Sequence, residues 1–238
     1  MAARSSASPP RAAARRALLS VDVIVLTPRG GRLAVLLVRP AAPHGRERRT
    51  LPWDGVRGAE TLEQTAARVA RAALGRAPGV LEQVAAFGDR RGHPSGADVS
   101  VAYVALVAPR VEHRLAASHG EPGWFALDAL PPVAARQRAM IDTAVRALRT
   151  RLDHEPVAFQ LLPSTFTLSE LQQTYELLLG RRLHKASFRR ALQAAWLVEP
   201  TDEWRSEGRG RPAQLYCFRH DILDERPVAG TKLPLMRA

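Results

Sequence analysis

The sequence predicts an α+β chain in two units: a mixed sheet-and-helix domain, then a smaller unit of two helices and a hairpin. Aliphatic and β-branched runs flanked by turn residues recur through the first half. Helical periodicities opened by Thr-x-x-Gln/Glu spacings begin at Thr61 and Thr167. The texture changes at the DHEP break, residues 153–156. A chain of 238 residues with 46% hydrophobic content can form one large domain or two modest ones, each with a real core. No run approaches the roughly 18–20 apolar residues of a membrane span, so no membrane partner is expected.

The first unit is expected over residues 18–152. SVDVIVLT and LAVLLVRP flank the PRGGR turn and read as a hairpin. The polar loop APHGRERR leads to LPWDGV. Thr61-Leu-Glu-Gln64 then has the spacing of a capping box, in which hydroxyl and amide satisfy otherwise unpaired N–H groups. Leu62, Ala66, Val69 and Ala73 recur on one helical face, and the helix should stop near Gly75, with Pro78 beyond. VLEQVAAFG and DVSVAYVALV read as strands joined by DRRGHPSGA, and EPGWFALDALP as a short strand and turn. A helix over 135–152 would bury Met140, Ile141, Ala144, Val145 and Leu148.

The second unit is expected over 156–222. Thr167-Leu-Ser-Glu170 opens the helix LSELQQTYELLLG, which Gly180 should end. RRLHKAS is a turn, and SFRRALQAAWLV a second helix whose Phe188, Leu192, Trp196 and Leu197 should pack inward. VEPTDEWRSEGRGRPAQLYCF reads as two strands around a charged tip, and residues 223–238 as a loose tail.

The start, residues 1–17, is basic and rich in small residues but has no apolar core after its arginines, so a mobile arm is expected rather than a secretion signal. A transit peptide is the alternative. One cysteine, Cys217, excludes an internal disulfide and a Cys-based metal cluster, and fits a reducing, cytoplasmic setting. The net charge of +12 points towards polyanions. Lysine occurs only at Lys185 and Lys232 while arginine is abundant, so codon bias contributes and the placing of the charge matters more than its sum.

Residues 51–75 resemble the Nudix box. Glu60, Arg68 and Gly75 hold the spacing of three of its anchors, LP leads in, and WFALDALP resembles a closing segment of that fold. The resemblance implies a Nudix-like domain. The positions of the box's first glycine and three helical glutamates are occupied by Asp54 and by Val69, Ala72 and Ala73. In active members those glutamates hold magnesium or manganese. Hard cations need oxygen ligands, which valine and alanine cannot supply. No metal, no cofactor and no catalytic residue is therefore expected. An arginine-bearing pocket can still take an anionic dinucleotide, because a guanidinium fork matches phosphate oxygens. The candidates are Arg39, Arg57, Arg68, Arg90 and Arg91, with Trp53, Phe87 or Tyr103 as a ring for a base. A solvated surface position for each arginine, and a core position for each aromatic, are the plainer alternatives.

FTLSELQQTYELLLGRRLHKASFRRALQAAWLVEPT followed by GRGRPAQLY resembles the winged-helix end of the NrtR family of Nudix-related transcriptional regulators. That resemblance implies a cytoplasmic DNA-binding regulator, a repressor of NAD or related nucleotide or sugar metabolism. It also implies an ADP-ribose-like effector, a double-stranded operator and a homodimer. The residues carry a matching pattern. Phe188 and Leu192 form an apolar stripe, while Lys185 and Arg189, flanked by Ser187 and Arg190, form a basic one. Such a helix can pack on its neighbour while its cations reach groove edges and phosphates. In Gly208–Pro212, Arg209 and Arg211 would project along a narrow, A·T-rich minor groove. A Nudix-type hydrolase with a noncanonical metal site, and a protein-docking module, are the competing readings.

Overall fold

The computed structural model describes residues 16–39, 49–88, 92–109, 121–152, 154–206 and 212–219. The N-terminal arm, apart from its last residues, and the C-terminal tail lie outside them.

Strands β1 (Leu19–Arg29) and β2 (Arg32–Arg39) form the expected hairpin, closed at Gly30 and Gly31, both at positive φ. With β4 (Val80–Phe87), β5 (Val99–Leu106) and β6 (Glu121–Ala126) they build a mixed sheet in the order β4-β5-β1-β2-β6. β1 and β5 run parallel, and β3 (Trp53–Asp54) adds to β1 opposite Val21 and Asp22.

Alternation in β1 assigns the two faces. Val21, Val23 and Val25 pack with Val101, Tyr103 and Ala105 under α1 (Leu62–Leu74), burying Ala66, Val69, Ala70 and Ala73. Ile24 and Leu26 pack with Val35, Leu37 and Val104 under α2 (Ala135–Leu152), burying Met140, Ile141, Ala144, Val145 and Leu148. Both caps of α1 form as the sequence dictates. Thr61 accepts from Gln64 N–H while the Gln64 side chain accepts from Thr61 N–H, and Gly75 closes the helix at φ 73°.

The same apolar core continues into the second unit through the 3-10 turn Val157–Leu161. There α3 (Leu168–Leu179) and α4 (Lys185–Ala195) pack on a small sheet of β7 (Thr165–Phe166), β9 (Ala213–Phe218) and β8 (Val198–Arg205). The Phe159 ring contacts Phe166, Tyr175 and Phe218, and Tyr175 in turn meets Phe188. The Thr167–Glu170 capping box and the Gly180 cap form as expected.

The last helix ends earlier than its sequence suggests. Trp196 adopts φ 52° and is 69% exposed, while Leu197 is buried. The left-handed turn at Trp196 swings the indole outward and redirects the chain into β8, so Trp196 is not part of the inward stripe.

Candidate functional site

The turn from β3 into α1 is organised around Arg68. Its Nη1 donates to Asp54 Oδ2 at 2.6 Å, its Nε to Glu60 Oε1 at 2.8 Å, and its Nη2 to Glu60 Oε2 at 2.8 Å and to the Gly55 carbonyl at 3.0 Å. Glu60 also accepts from Arg57 N–H and the Thr65 hydroxyl. The Arg68 bond is the main reason the Glu60 carboxyl is held down at about pKa 2. For Asp54 the largest single influence, burial, pushes the carboxyl up. The bonds from Arg68 and Gly55 and the charges of Arg57 and Arg68 outweigh it and hold the group below its ordinary value.

These residues do not fit a hard divalent metal. Val69 and Ala73 are buried methyl groups against the sheet, and Ala72 is half-buried. The two carboxylates at the start of the box face guanidinium groups. Among the described residues no group of three His, Cys, Asp or Glu is placed to hold a metal ion.

The candidate effector residues fall into different surroundings. Arg57 is exposed, with its Nη2 on Asp54, and Arg39 is exposed at the end of β2. Arg68, by contrast, turns its donors onto the protein and works as a clasp for the loop. The Tyr103 ring lies in the α1-side core, so its faces are covered. Only its hydroxyl reaches polar partners, Glu63 and Gln83, at 3.2 Å each. Burial, then the Glu63 charge, raises its pKa to about 12. Trp53 is half-buried on β3, where its pairing with Asp22 and its ring contact with His93 put it on the α2 face of the sheet, opposite the Asp54–Arg57 pair, while Phe87 packs on the α2-side core. Arg90 and Arg91 lie outside the described residues.

Sequence reasoning missed a buried polar network beneath the first turn of α2. Asp22, fully buried on β1 between Val21 and Val23, accepts from the Ser20 hydroxyl at 3.0 Å and the Gln137 amide at 3.1 Å, and lies 2.9 Å from His93 Nε2. Nδ1 of His93 lies 2.6 Å from the Ser95 hydroxyl and accepts the Ser95 N–H, which makes Nε2 the donor to Asp22. The other end of Gln137 accepts from Leu51 N–H, and the His93 ring stands edge-on to Trp53 at 5.2 Å. Nearby, buried Arg136 donates to the Ala97 carbonyl and Ser100. A charged residue inside VDVIVL is the signal that could have exposed this network, since a buried carboxylate demands partners.

In the second unit α4 presents Lys185, Arg189 and Arg190 to solvent, with Ser187 half-buried, while Phe188, Leu192 and Ala195 are buried. The helix KASFRRALQAA contains no acidic residue. Glu176 fixes the turn that aims it, accepting from Gln172, Arg182 and Leu183 N–H. On the opposite side, Arg205 near the end of β8 donates to Glu170 at 2.9 Å, joining the hairpin to α3. Arg209 and Arg211 lie outside the described residues, between the ends of β8 and β9.

The sequence pattern of the NUDIX domain matches residues 12–144. That of the NrtR DNA-binding winged helix domain matches residues 158–218. An Acinetobacter baylyi protein, an ADPR responsive transcriptional repressor, is 31% identical over 210 residues, 84% of this chain and 82% of its own. The crystal structure of Shewanella oneidensis NrtR complexed with a 27mer DNA is 32% identical, with a TM-score of 0.73 over 87% of this chain and 95% of that one. A MutT/nudix family protein from Enterococcus faecalis shares the fold at 20% identity and a TM-score of 0.68, covering 89% and 90%.

Proposed function

The chain belongs to the NrtR family of Nudix-related transcriptional regulators, and from that premise we propose that it represses transcription by binding duplex DNA through α4, under control of an ADP-ribose-like dinucleotide. The observation that carries this reading is the outward face of α4. Three cations without a carboxylate among them stand on a helix whose apolar stripe is buried beneath. Such a helix can enter the major groove, where arginine forks onto guanine and lysine meets phosphate. Arg209 and Arg211 are proposed as the wing contacts.

In the sensor domain Arg57, Arg39 and Arg90 are the proposed diphosphate contacts, and Trp53 replaces Tyr103 as the proposed ring for a base. Arg68 serves that pocket by holding its loop. The effector is bound, not hydrolysed, because the positions that would ligate magnesium carry methyl groups. The protein acts in the cytoplasm as a homodimer on a two-fold symmetric operator controlling NAD or related nucleotide metabolism. Chromatin mapping in its host, followed by calorimetric titration of ADP-ribose with and without the occupied fragment, tests the proposal. Occupied promoters and weaker fragment binding with ADP-ribose are expected. Absence of binding to any chromosomal fragment overturns it.

A further inference from the structure

The buried network joins β3 to the first turn of α2. Gln137 sits in the first turn of α2 and bonds at once to Leu51 N–H, two residues before Trp53, and to Asp22. Asp22 pairs across the sheet with Trp53 itself and also orders His93, whose ring meets the indole. The segment that carries the proposed base-stacking ring is thus wired to the start of α2 by backbone and side chain alike. The other end of α2 is wired to the DNA-binding unit. Arg149 Nε donates to the Leu178 carbonyl at 3.1 Å, at the close of α3, and Leu148 and Leu152 share a core with Leu171 and Tyr175. Between these ends lies an unbroken helix, a rigid element rather than a hinge.

We propose that Gln137, Asp22 and His93 are the coupling residues of this regulator. They tie the setting of Trp53 to that of α2, so that a nucleotide base settling on the indole shifts the helix that carries the DNA-binding unit. The inference rests on the effector reading above. Its physical basis is the low tolerance of a buried polar network for partial satisfaction. Displacing Trp53 and His93 leaves the Asp22 carboxylate and the Leu51 N–H short of partners unless Gln137 follows. Closely packed elements then move together, and the ligand acts to the extent that it prefers one arrangement.

The test is a coupling measurement on the full-length protein. Affinity for a chromatin-mapped operator fragment is measured with and without saturating ADP-ribose in wild type, Gln137→Met, His93→Gln and Thr27→Val. Thr27 is the control: it is equally buried on β1, and its hydroxyl donates to the Val107 carbonyl away from the network. ADP-ribose is expected to weaken wild-type and Thr27→Val binding at least ~10-fold, within the usual range of allosteric coupling. In Gln137→Met and His93→Gln the ratio is expected to fall below about 2-fold, while ADP-ribose and DNA are each still bound. His93→Gln keeps a donor near Asp22 but loses the ring against Trp53, so it reads the link even if Gln137→Met does not fold. A full wild-type ratio in either folded network variant, or an equal loss in Thr27→Val, overturns the relay alone. A wild-type affinity that ADP-ribose does not alter overturns the effector reading and the relay with it.

Discussion

Arg68 lies 2.6 Å from Asp54 and 2.8 Å from Glu60, so a single α1 side chain closes the turn that leads from β3 into the helix. Removing it with Arg68→Met is expected to lower the melting temperature at pH 7 by on the order of 2–4 °C. The sign of the pH dependence follows from Glu60. Its folded pKa of about 2 lies below the ordinary 4.5, so the contribution is complete above about 4.5 and is lost as pH falls towards about 2. The gap between variant and wild type should therefore narrow steadily between those values. Melting curves at intervals of pH check this, and a gap that widens as pH falls contradicts it.

Restoring one box glutamate should harm the fold rather than revive chemistry. Ala73 is 1% exposed against the sheet, and a carboxylate forced there has no partner to replace water. Ala73→Glu is expected to lose roughly 2 kcal/mol or more in denaturant unfolding. Neither it nor wild type should release product from ADP-ribose in excess magnesium. Turnover near about 1 per second, ordinary for an enzyme, would favour the hydrolase reading.

Gly180 ends α3 at φ +71°, and a Cβ built there would stand 2.7 Å from Arg149 Nη2. Gly180→Ala must bear the left-handed strain and push aside the guanidinium that bonds the Leu178 carbonyl. A loss of about 1–2 kcal/mol is expected. Arg149→Met should soften the penalty by removing the collision, leaving the strain alone. Chemical denaturation of both single variants and the double variant measures this, and full additivity would show that the two groups do not meet.

Much of the fold was legible in the sequence because its signals are local. Thr61 with Gln64, Thr167 with Glu170, and the glycines at 75 and 180 each act within a turn of their own position. The outward cations of α4 followed from the same short-range periodicity. Contacts between distant segments were not legible. Asp22 meets His93 and Gln137 across 71 and 115 residues, and no local pattern announces the three as partners. Trp196 misled because a large apolar residue at helical spacing reads as core, whereas its left-handed backbone, unmarked by glycine, turns it to solvent. By chemical type alone Tyr103 and Arg68 suit a ligand pocket. Their surroundings made one a core ring and the other a clasp.

DNA binding through α4 is the central claim, and fluorescence anisotropy over a salt series tests it most directly. The probes are a labelled chromatin-mapped fragment and a scrambled duplex, with wild type, Arg189→Ala, Lys185→Ala and Phe188→Ala. Wild-type affinity should fall steeply with salt, as each neutralised phosphate releases counterions. Arg189→Ala should lose roughly 1–3 kcal/mol of discrimination between the two duplexes. Lys185→Ala should weaken both alike and flatten the salt slope. Phe188, fully buried against Tyr175, should instead cost about 3–5 kcal/mol of stability when cut to alanine, so its loss of binding should track unfolding. If folded Arg189→Ala and Lys185→Ala bind both duplexes as tightly as wild type at every salt concentration, α4 is not the reading surface.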